Sequence, residues 1–246
     1  MAEPAVDGAP SEHPIGAAIG HEHADVTGGW LRPAVFGVMD GLVSNFALIA
    51  GVAGAGAAPR TVALTGLAGL VAGAFSMATG EYVSVASQGE SQQAELDLER
   101  QELLRNPEGE RTELAQVYID RGVDPELAHE VARQMSLDPM EALRVHAMEE
   151  LGVDPTELPS PWTAAGSSFA AFLVGAFMPL LPYLLGASNL TIAAIIAMIA
   201  LFGTGVVTSR FTNRTWLFSG SRQLGLGMVA AVVTFAVGMA FGVVGP

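Results

Sequence analysis

The sequence predicts an all-α membrane protein with five transmembrane helices and a small acidic helical domain between the second and the third. Three observations predict this class. Half of the 246 residues are hydrophobic and only 15% are charged, whereas a typical soluble domain is roughly 25% charged. Five apolar segments are long enough to span a bilayer, which takes about 20 residues. Between the second and third segments, acidic residues replace the apolar ones.

Composition along the chain sets the domain organisation. Residues 1–30 contain no basic n-region and no apolar segment, which predicts a disordered tail without a cleavable signal peptide. We assign residues 31–87 to transmembrane helices 1 and 2, 88–160 to the acidic domain, and 161–246 to transmembrane helices 3–5. The spans are predicted at residues 33–58, 61–83, 163–185, 190–209 and 224–244.

Helix signals refine these boundaries. The second helix has no breaking residue after its span and should continue to about residue 105. Asp-Pro pairs at 124–125 and 138–139 each place an N-cap before a proline at the first helical position. Pro179 and Pro182 are expected to kink or unwind the third span. The acidic domain should therefore contain helices near residues 108–121, 125–137 and 139–151.

Arginine placement predicts the topology. All eleven basic residues are arginine, and only Arg60 falls on the side opposite the acidic domain. The positive-inside rule therefore places the N-terminus and the acidic domain in the cytoplasm and the C-terminus outside, in a multi-pass protein of the cell (inner) membrane. The net charge of −14 excludes nucleic acid as a partner, because a phosphate backbone requires a basic face. The absence of cysteine excludes thiolate metal sites.

Ionisable and polar side chains interrupt the first two spans. A carboxylate inside a span costs about 2.5–3.5 kcal/mol on insertion scales, so Asp40 needs a partner or a wet cavity. Ser44 lies one turn further on the same face, and Asn45 is beside it. Met77 and Glu81 share a face of the second span because they are four residues apart. At 1.5 Å per residue, Asp40 and Met77 both lie within about 10 Å of the cytoplasmic ends of their spans.

These groups predict a transport pathway for a transition metal. A hard oxygen beside a thioether suits Fe²⁺ and its neighbours Mn²⁺, Co²⁺ and Zn²⁺ better than Mg²⁺ or Ca²⁺. Ordinary packing of Met77, and bonds from Ser44 and Asn45 to a neighbouring helix, are the structural alternatives. The predicted pathway residues are Asp40, Ser44, Asn45, Met77 and Glu81.

The acidic domain carries a second set of candidate ligands. Three glutamates recur at i, i+4 and i+7 on the helix that leaves span 2, where like charges repel unless cations are present. Others follow on the next helices, together with one histidine; a solvated acidic surface is the alternative. The predicted metal ligands are Glu95, Glu99, Glu102, Glu110, Glu113, His146, Glu149 and Glu150.

Four segments are together typical of one family. They are residues 40–45 (DGLVSN), residues 73–84 (GAFSMATGEYVS), and the pair 158–161 (LPSP) and 175–182 (GAFMPLLP). From about Trp30 to the C-terminus, the chain resembles the vacuolar iron transporter family in its bacterial membrane form.

The resemblance implies a homodimer of five-span subunits, with the metal path between subunits and a cytoplasmic metal-binding domain between spans 2 and 3. Asp40 and Met77 match the family's pathway aspartate and methionine. Where plant members have a methionine pair, this chain has His146 and Ala147, of which His146 can still ligate. The family's metal-binding glutamates match Glu99, Glu102, Glu110, Glu113 and Glu150.

We therefore expect a transporter, not an enzyme, that exports ferrous iron or another divalent transition metal by proton antiport. Its partners would be divalent metal ions, protons, the lipid bilayer and a second copy of the chain. We expect no prosthetic group. The main alternative is a membrane-anchored metal buffer or sensor, which has no use for Asp40 and Met77 inside the bilayer. A di-iron oxidase is the weakest alternative, since it needs two Glu-x-x-His motifs and only Glu126–His129 is present. The tail histidines could also bind metal (His13, His21 and His23).

Overall fold

The regular structure of the chain is helical. A computed structural model describes residues 29–187, 189–212 and 214–242, so the tail histidines lie outside the described residues. Within these ranges the chain forms α-helices and one short π-helix, without a strand. The α-helices are α1 Leu31–Gly54, α2 Pro59–Arg105, α3 Pro107–Asp120, α4 Pro125–Met135, α5 Pro139–His146, α6 Pro161–Leu184, α7 Leu190–Ser209 and α8 Trp216–Gly242.

Five of these helices, α1, α2, α6, α7 and α8, are long and apolar enough to cross a membrane. The predicted all-α class with five spans is confirmed. The largest difference in bounds is in α8, which begins at Trp216 and not at residue 224. Its first turns hold polar residues that weaken the hydropathy signal, but Ser219 and Gly220 are buried. They pack against α7, where a Cβ on Gly205 would lie 2.5 Å from the carbonyl oxygen of Ser219.

The second helix extends far beyond its apolar part. α2 contains 47 residues, which gives a length of about 70 Å at 1.5 Å per residue. The hydrocarbon core of a bilayer is only about 30 Å thick. The prediction that this helix continues to about residue 105 is confirmed, and one continuous helix joins the membrane bundle to the acidic region.

The centre of the bundle is formed by α1 and α6, which share the most extensive contact; α2 also packs on α6, and α8 on α1. Glycines permit this approach. A Cβ on Gly37 would lie 2.7 Å from the carbonyl oxygen of Ser168, and one on Gly41 would lie 2.4 Å from that of Phe172. Both distances are shorter than van der Waals contact, so the small-xxx-small spacing of α1 places the two backbones side by side.

The two prolines of the third span do not unwind it. α6 contains Pro179 and Pro182 and continues as a helix to Leu184. Each proline removes one intrahelical hydrogen bond, but both are buried, and packing against neighbouring helices stabilises the α-helical backbone.

The acidic segment, residues 88–160, consists of the end of α2, then α3, α4, α5 and the π-helix. Asn106, Asp124 and Asp138 cap α3, α4 and α5, and each side chain accepts hydrogen bonds from backbone N–H groups of the first turn. The last predicted helix differs from the expectation of 139–151, since α5 ends at His146 and a π-helix covers Ala147–Leu151. The small apolar core of the segment comprises Leu114, Ala115, Ala128, Ala132 and Val145.

Candidate functional site

A cavity of about 220 Å³ lies between α1 and α2. We call it the membrane cavity. It brings together two side chains that are 37 positions apart in sequence, Asp40 of α1 and Met77 of α2. Both are partly buried. The residues that line it are Asp40, Ser44, Asn45, Leu48, Gly69, Gly73, Ser76, Met77 and Phe172.

Hydrogen bonds orient the polar groups of the membrane cavity. The hydroxyl of Ser44 donates to Oδ1 of Asp40 at 2.6 Å. The side chain of Asn45 is only 2% exposed, and its Nδ2 donates to the carbonyl oxygen of Ala176 at 2.6 Å. Its Oδ1 has no hydrogen-bond partner among the described residues. The described lining of the cavity therefore contains one carboxylate, one free amide oxygen and one thioether, and no basic group.

Two glycines of α2 leave space for this cavity. A Cβ on Gly73 would lie 2.2 Å from the ring of Phe172, and one on Gly69 would lie 2.5 Å from Cδ2 of Leu48. Sequence reasoning missed Phe172, because an aromatic residue in an apolar span carries no signal of its own. Glu81, one turn beyond Met77, is partly buried but does not line the membrane cavity.

A second group of ionisable side chains lies in the acidic segment. Glu99 of α2, Glu110 of α3 and His146 of α5 are all buried, and each offers a ligand atom within 4.8 Å of the others. Nδ1 of His146 lies 3.2 Å from Oε1 of Glu99 and 3.8 Å from Oε2 of Glu110. The same nitrogen lies 3.1 Å from Oε1 of Glu150. We call these four residues the carboxylate–histidine cluster.

The π-helix separates two glutamates that sequence reasoning grouped together. Glu150 joins the cluster, whereas Glu149 forms a salt bridge with Arg121 and accepts a hydrogen bond from the hydroxyl of Tyr118 at 3.3 Å. π-Helical turns change the angular spacing of side chains and are frequent at functional sites. His146 and Glu150 are four residues apart, a spacing that already places them on one face of a helix, whereas Glu149 points in another direction.

The other predicted ligands lie at or beyond the edge of the cluster. Glu102 and Glu113 are exposed, yet both are close enough to act on the charge of a buried glutamate. Glu95 is exposed and has no ion pair or hydrogen bond with another described side chain. Glu126 and His129 are exposed on α4, outside the cluster, so a di-iron oxidase site has no support among the described residues.

The electrostatics of the cluster are unfavourable without a cation. Burial raises the pKa of Glu99 from 4.5 to about 7, with a further rise from Glu150, while His146 opposes it. Burial also raises the pKa of Glu110, again with a further rise from neighbouring glutamates and an opposing effect of His146. Nε2 of His146 is buried without a hydrogen-bond partner among the described residues. A divalent cation among the carboxylates would stabilise their ionised forms.

The five apolar helices define the class as a polytopic membrane protein, and the two groups of side chains are its candidate cation sites. A profile of the VIT family matches residues 31–239, so the chain belongs to the VIT family.

A vacuolar iron transporter of Acanthamoeba castellanii is 39% identical over 243 residues, covering 96% of this chain and 84% of that protein. Vacuolar iron transporter 1 of Arabidopsis thaliana is 33% identical over 211 residues and 83% of each chain. Vacuolar iron transporter 2 of Oryza sativa is 31% identical over 213 residues, covering 85% of this chain and 87% of that protein. The resemblance seen in the motifs is confirmed, as is metal ion transport as the broad function.

Proposed function

We propose that this protein exports ferrous iron, or a related divalent transition metal such as manganese, from the cytoplasm in exchange for protons. One observation carries the proposal: Asp40 and Met77, on two different helices, line the same cavity within the membrane bundle. An apolar bundle has no structural need for a carboxylate at this position, whereas a cation that crosses the bilayer does.

The donor set supports a transition metal as the substrate. Carboxylate and amide oxygens alone would suit Mg²⁺ or Ca²⁺, but a thioether is a soft ligand that these ions bind poorly. Fe²⁺ accepts both kinds of donor. The names of the relatives, which are iron transporters, support iron as the first metal to test.

The carboxylate–histidine cluster is the proposed capture site. Its three buried ligand residues come from three helices, and Glu150, Glu102 and Glu113 surround them with further negative charge. Along α2, Met77 and Glu99 are separated by about 33 Å at 1.5 Å per residue. Glu81 lies between them on the same helix and is the proposed intermediate ligand.

Arginine placement supports the proposed direction. The acidic segment, the start of α1, the connection between α7 and α8 and the first turns of α8 contain all the arginines except Arg60, so the positive-inside rule places them in the cytoplasm. The capture site would then take metal from the cytoplasm and deliver it to the membrane cavity.

Proton exchange follows from the chemistry of a single carboxylate. A metal must displace the proton from its ligand, so Asp40 would carry either a metal or a proton. In the proposed cycle, Asp40 binds metal from the cytoplasmic side and releases it on the far side. Asp40 then carries a proton while the site returns to face the cytoplasm.

The membrane cavity also supports a homodimer. Ser44 and Ser76 line it and are exposed on the surface of the single chain. Polar groups of a membrane span face the interior of a bundle or a water-filled cavity rather than lipid. We propose that a second subunit covers this face, which would place the metal path between the two protomers.

The test is Fe²⁺ uptake into inside-out proteoliposomes with an imposed proton gradient. We expect gradient-driven flux with the unmodified protein and a loss of at least tenfold in Asp40→Asn, a change of about 1.4 kcal/mol or more. Asp97→Asn makes the same chemical change at an exposed position of α2 and should transport normally.

Full gradient-driven flux in Asp40→Asn would remove Asp40 from the mechanism. Tight metal binding without any flux in the unmodified protein would favour the second candidate function, a membrane-anchored metal buffer or sensor. That candidate rests on the buried carboxylate–histidine cluster alone and assigns no role to the membrane cavity.

A further inference from the structure

A second, larger cavity lies in the membrane bundle away from the metal ligands. It is a groove of about 620 Å³ between α1, α6 and α7, which we call the apolar groove. Along α7 it runs from Ile196 to Thr208, a length of about 18 Å at 1.5 Å per residue. One leaflet of the hydrocarbon core is about 15 Å thick, so the groove has the length of a lipid acyl chain.

The lining of the apolar groove excludes a polar ligand. Among the residues that the structure describes, the only polar side chains lining it are Thr204 and Thr208, and both hydroxyls donate to backbone carbonyl oxygens within α7, at 2.9 and 2.8 Å. None of the described lining residues is titratable. Ile199 and Val207 are 69% and 58% exposed, so the groove opens to the outside of the described bundle, where lipid lies.

Two free arginines lie at one end of the groove. Successive spans alternate in direction, so the start of α1 and the end of α7 lie on the same side of the membrane. Arg32 is one turn before the groove residue Val35, and Arg210 is one turn after the groove residue Val207. Both are exposed, and neither guanidinium has a partner among the described residues.

The nearby Arg214 differs from these two arginines because its guanidinium group already has a contact. Arg214 lies over the ring of Phe218, with 5.7 Å between its Cζ and the ring centroid. It therefore has a contact of its own, whereas Arg32 and Arg210 have unused donors at the level where an acyl chain in the groove would reach the membrane surface.

We propose that the apolar groove binds an acyl chain of an anionic phospholipid, with the phosphate held by Arg32 and Arg210. The occupant is a lipid because the lining is apolar and lies within the membrane. It is anionic because two unpaired guanidinium groups lie at the mouth, and near a membrane surface each contributes about 1 kcal/mol to the attraction of anionic lipid.

The experiment is native mass spectrometry of the full-length protein in detergent, incubated with phosphatidylglycerol or with phosphatidylcholine of the same acyl chains. We expect clearly more bound phosphatidylglycerol than bound phosphatidylcholine. Arg32→Gln/Arg210→Gln should lower this preference by about fivefold per arginine, while Arg214→Gln leaves it unchanged.

A matched pair of glycine variants tests the position. A Cβ at Gly203 or at Gly225 would meet nothing within 4 Å, so Gly203→Leu and Gly225→Leu should both fold. Only Gly203 lines the groove, and only its substitution should lower retention of phosphatidylglycerol, by about tenfold.

Three results would overturn the proposal. Equal retention of the two lipids would show that binding does not require an anionic headgroup. Unchanged retention of phosphatidylglycerol in Gly203→Leu would show that the lipid does not bind in the groove. Conversion of a dimer to a monomer by Gly203→Leu, with lipid retention unaltered, would show that a second copy of the chain occupies the groove.

Discussion

The membrane cavity and the carboxylate–histidine cluster contain similar chemical groups in different numbers. The cavity holds a single carboxylate, that of Asp40, with an amide oxygen and a thioether beside it. The cluster combines three carboxylates with one imidazole, all with atoms within hydrogen-bond or ion-pair distance of Nδ1 of His146. The first arises between two neighbouring helices, and the second needs helices α2, α3 and α5.

Under the proposed function, this difference in ligand number would let one chain both retain and release an ion. Each additional carboxylate strengthens attraction for a divalent cation, so the cluster would capture the ion at low concentration. Conduction requires binding that is weak enough for the ion to leave, a requirement that one carboxylate with a thioether would meet. Removal of ligands from the two regions should therefore have different consequences.

The largest effect is expected from the cluster. Glu99→Gln/Glu110→Gln should lower the affinity for Mn²⁺, measured by calorimetry on the full-length protein, on the order of a hundredfold, since even supporting residues of metal sites contribute 10–100-fold. Flux at saturating metal should be retained because the membrane cavity is intact. Glu130→Gln/Glu141→Gln removes the same charge from exposed positions and should change the affinity little. An unchanged affinity in the cluster variant would show that the metal binds elsewhere.

The pH dependence of stability is expected to follow Glu99. Its pKa is about 7 in the folded protein against 4.5 in the unfolded chain, so between these values the folded state binds more protons. Stability without metal should therefore fall as pH rises from 5.5 to 7.5, by about 1–2 kcal/mol. Thermal unfolding of the metal-free protein at the two pH values measures this.

The matched variant for the pH experiment is Glu99→Gln, which keeps the shape of the protonated side chain and cannot ionise. It should largely remove the fall in stability between pH 5.5 and 7.5. Saturating Mn²⁺ should reverse the trend in the unmodified protein, since metal competes with protons for the same ligands. A fall of the same size in Glu99→Gln would assign the effect to other groups.

A smaller effect is expected from the thioether of the membrane cavity. Met77→Leu keeps an apolar side chain of similar volume but removes the sulfur, and we expect Fe²⁺ flux to fall about fivefold, the equivalent of about 1 kcal/mol. Mn²⁺ flux should fall less, because Mn²⁺ favours oxygen ligands. Met239→Leu, on the exposed face of α8, is the control. Equal losses for the two metals would indicate that Met77 only packs.

The smallest effects are expected from two glutamates that lie outside the cluster. Glu95→Gln should leave the affinity for Mn²⁺ unchanged, since Glu95 is exposed and unpaired among the described side chains. Glu149→Gln should also keep the affinity but lower stability by about 0–1 kcal/mol, because it weakens a partly exposed salt bridge with Arg121. Isothermal titration and thermal unfolding separate these outcomes. A tenfold loss of affinity in either variant would extend the cluster to that residue.

Many residues of the two candidate sites could be predicted because their types are rare at such positions in a sequence. Asp40 is conspicuous in an apolar span, and the glutamates of α2 recur at helical spacing. Sequence patterns do not identify a site residue whose type is common among its neighbours. Phe172 is one aromatic residue among many apolar ones, yet its ring forms part of the wall of the membrane cavity. Glu149 and Glu150 are neighbours of the same residue type, and packing between helices decides that Glu150 meets His146 while Glu149 pairs with Arg121.

The sequence by itself determined the five spans, the continuous second helix and the caps that start the helices of the acidic segment. These features depend on local physics, namely apolar length, helix propensity and capping, which a stretch of sequence contains within itself. The tertiary structure alone decided which glutamates surround His146, where glycines bring α1 against α6, and where a groove stays open beside α7. Those features depend on the distance between helices far apart in the chain, and that distance results from packing the whole bundle at once.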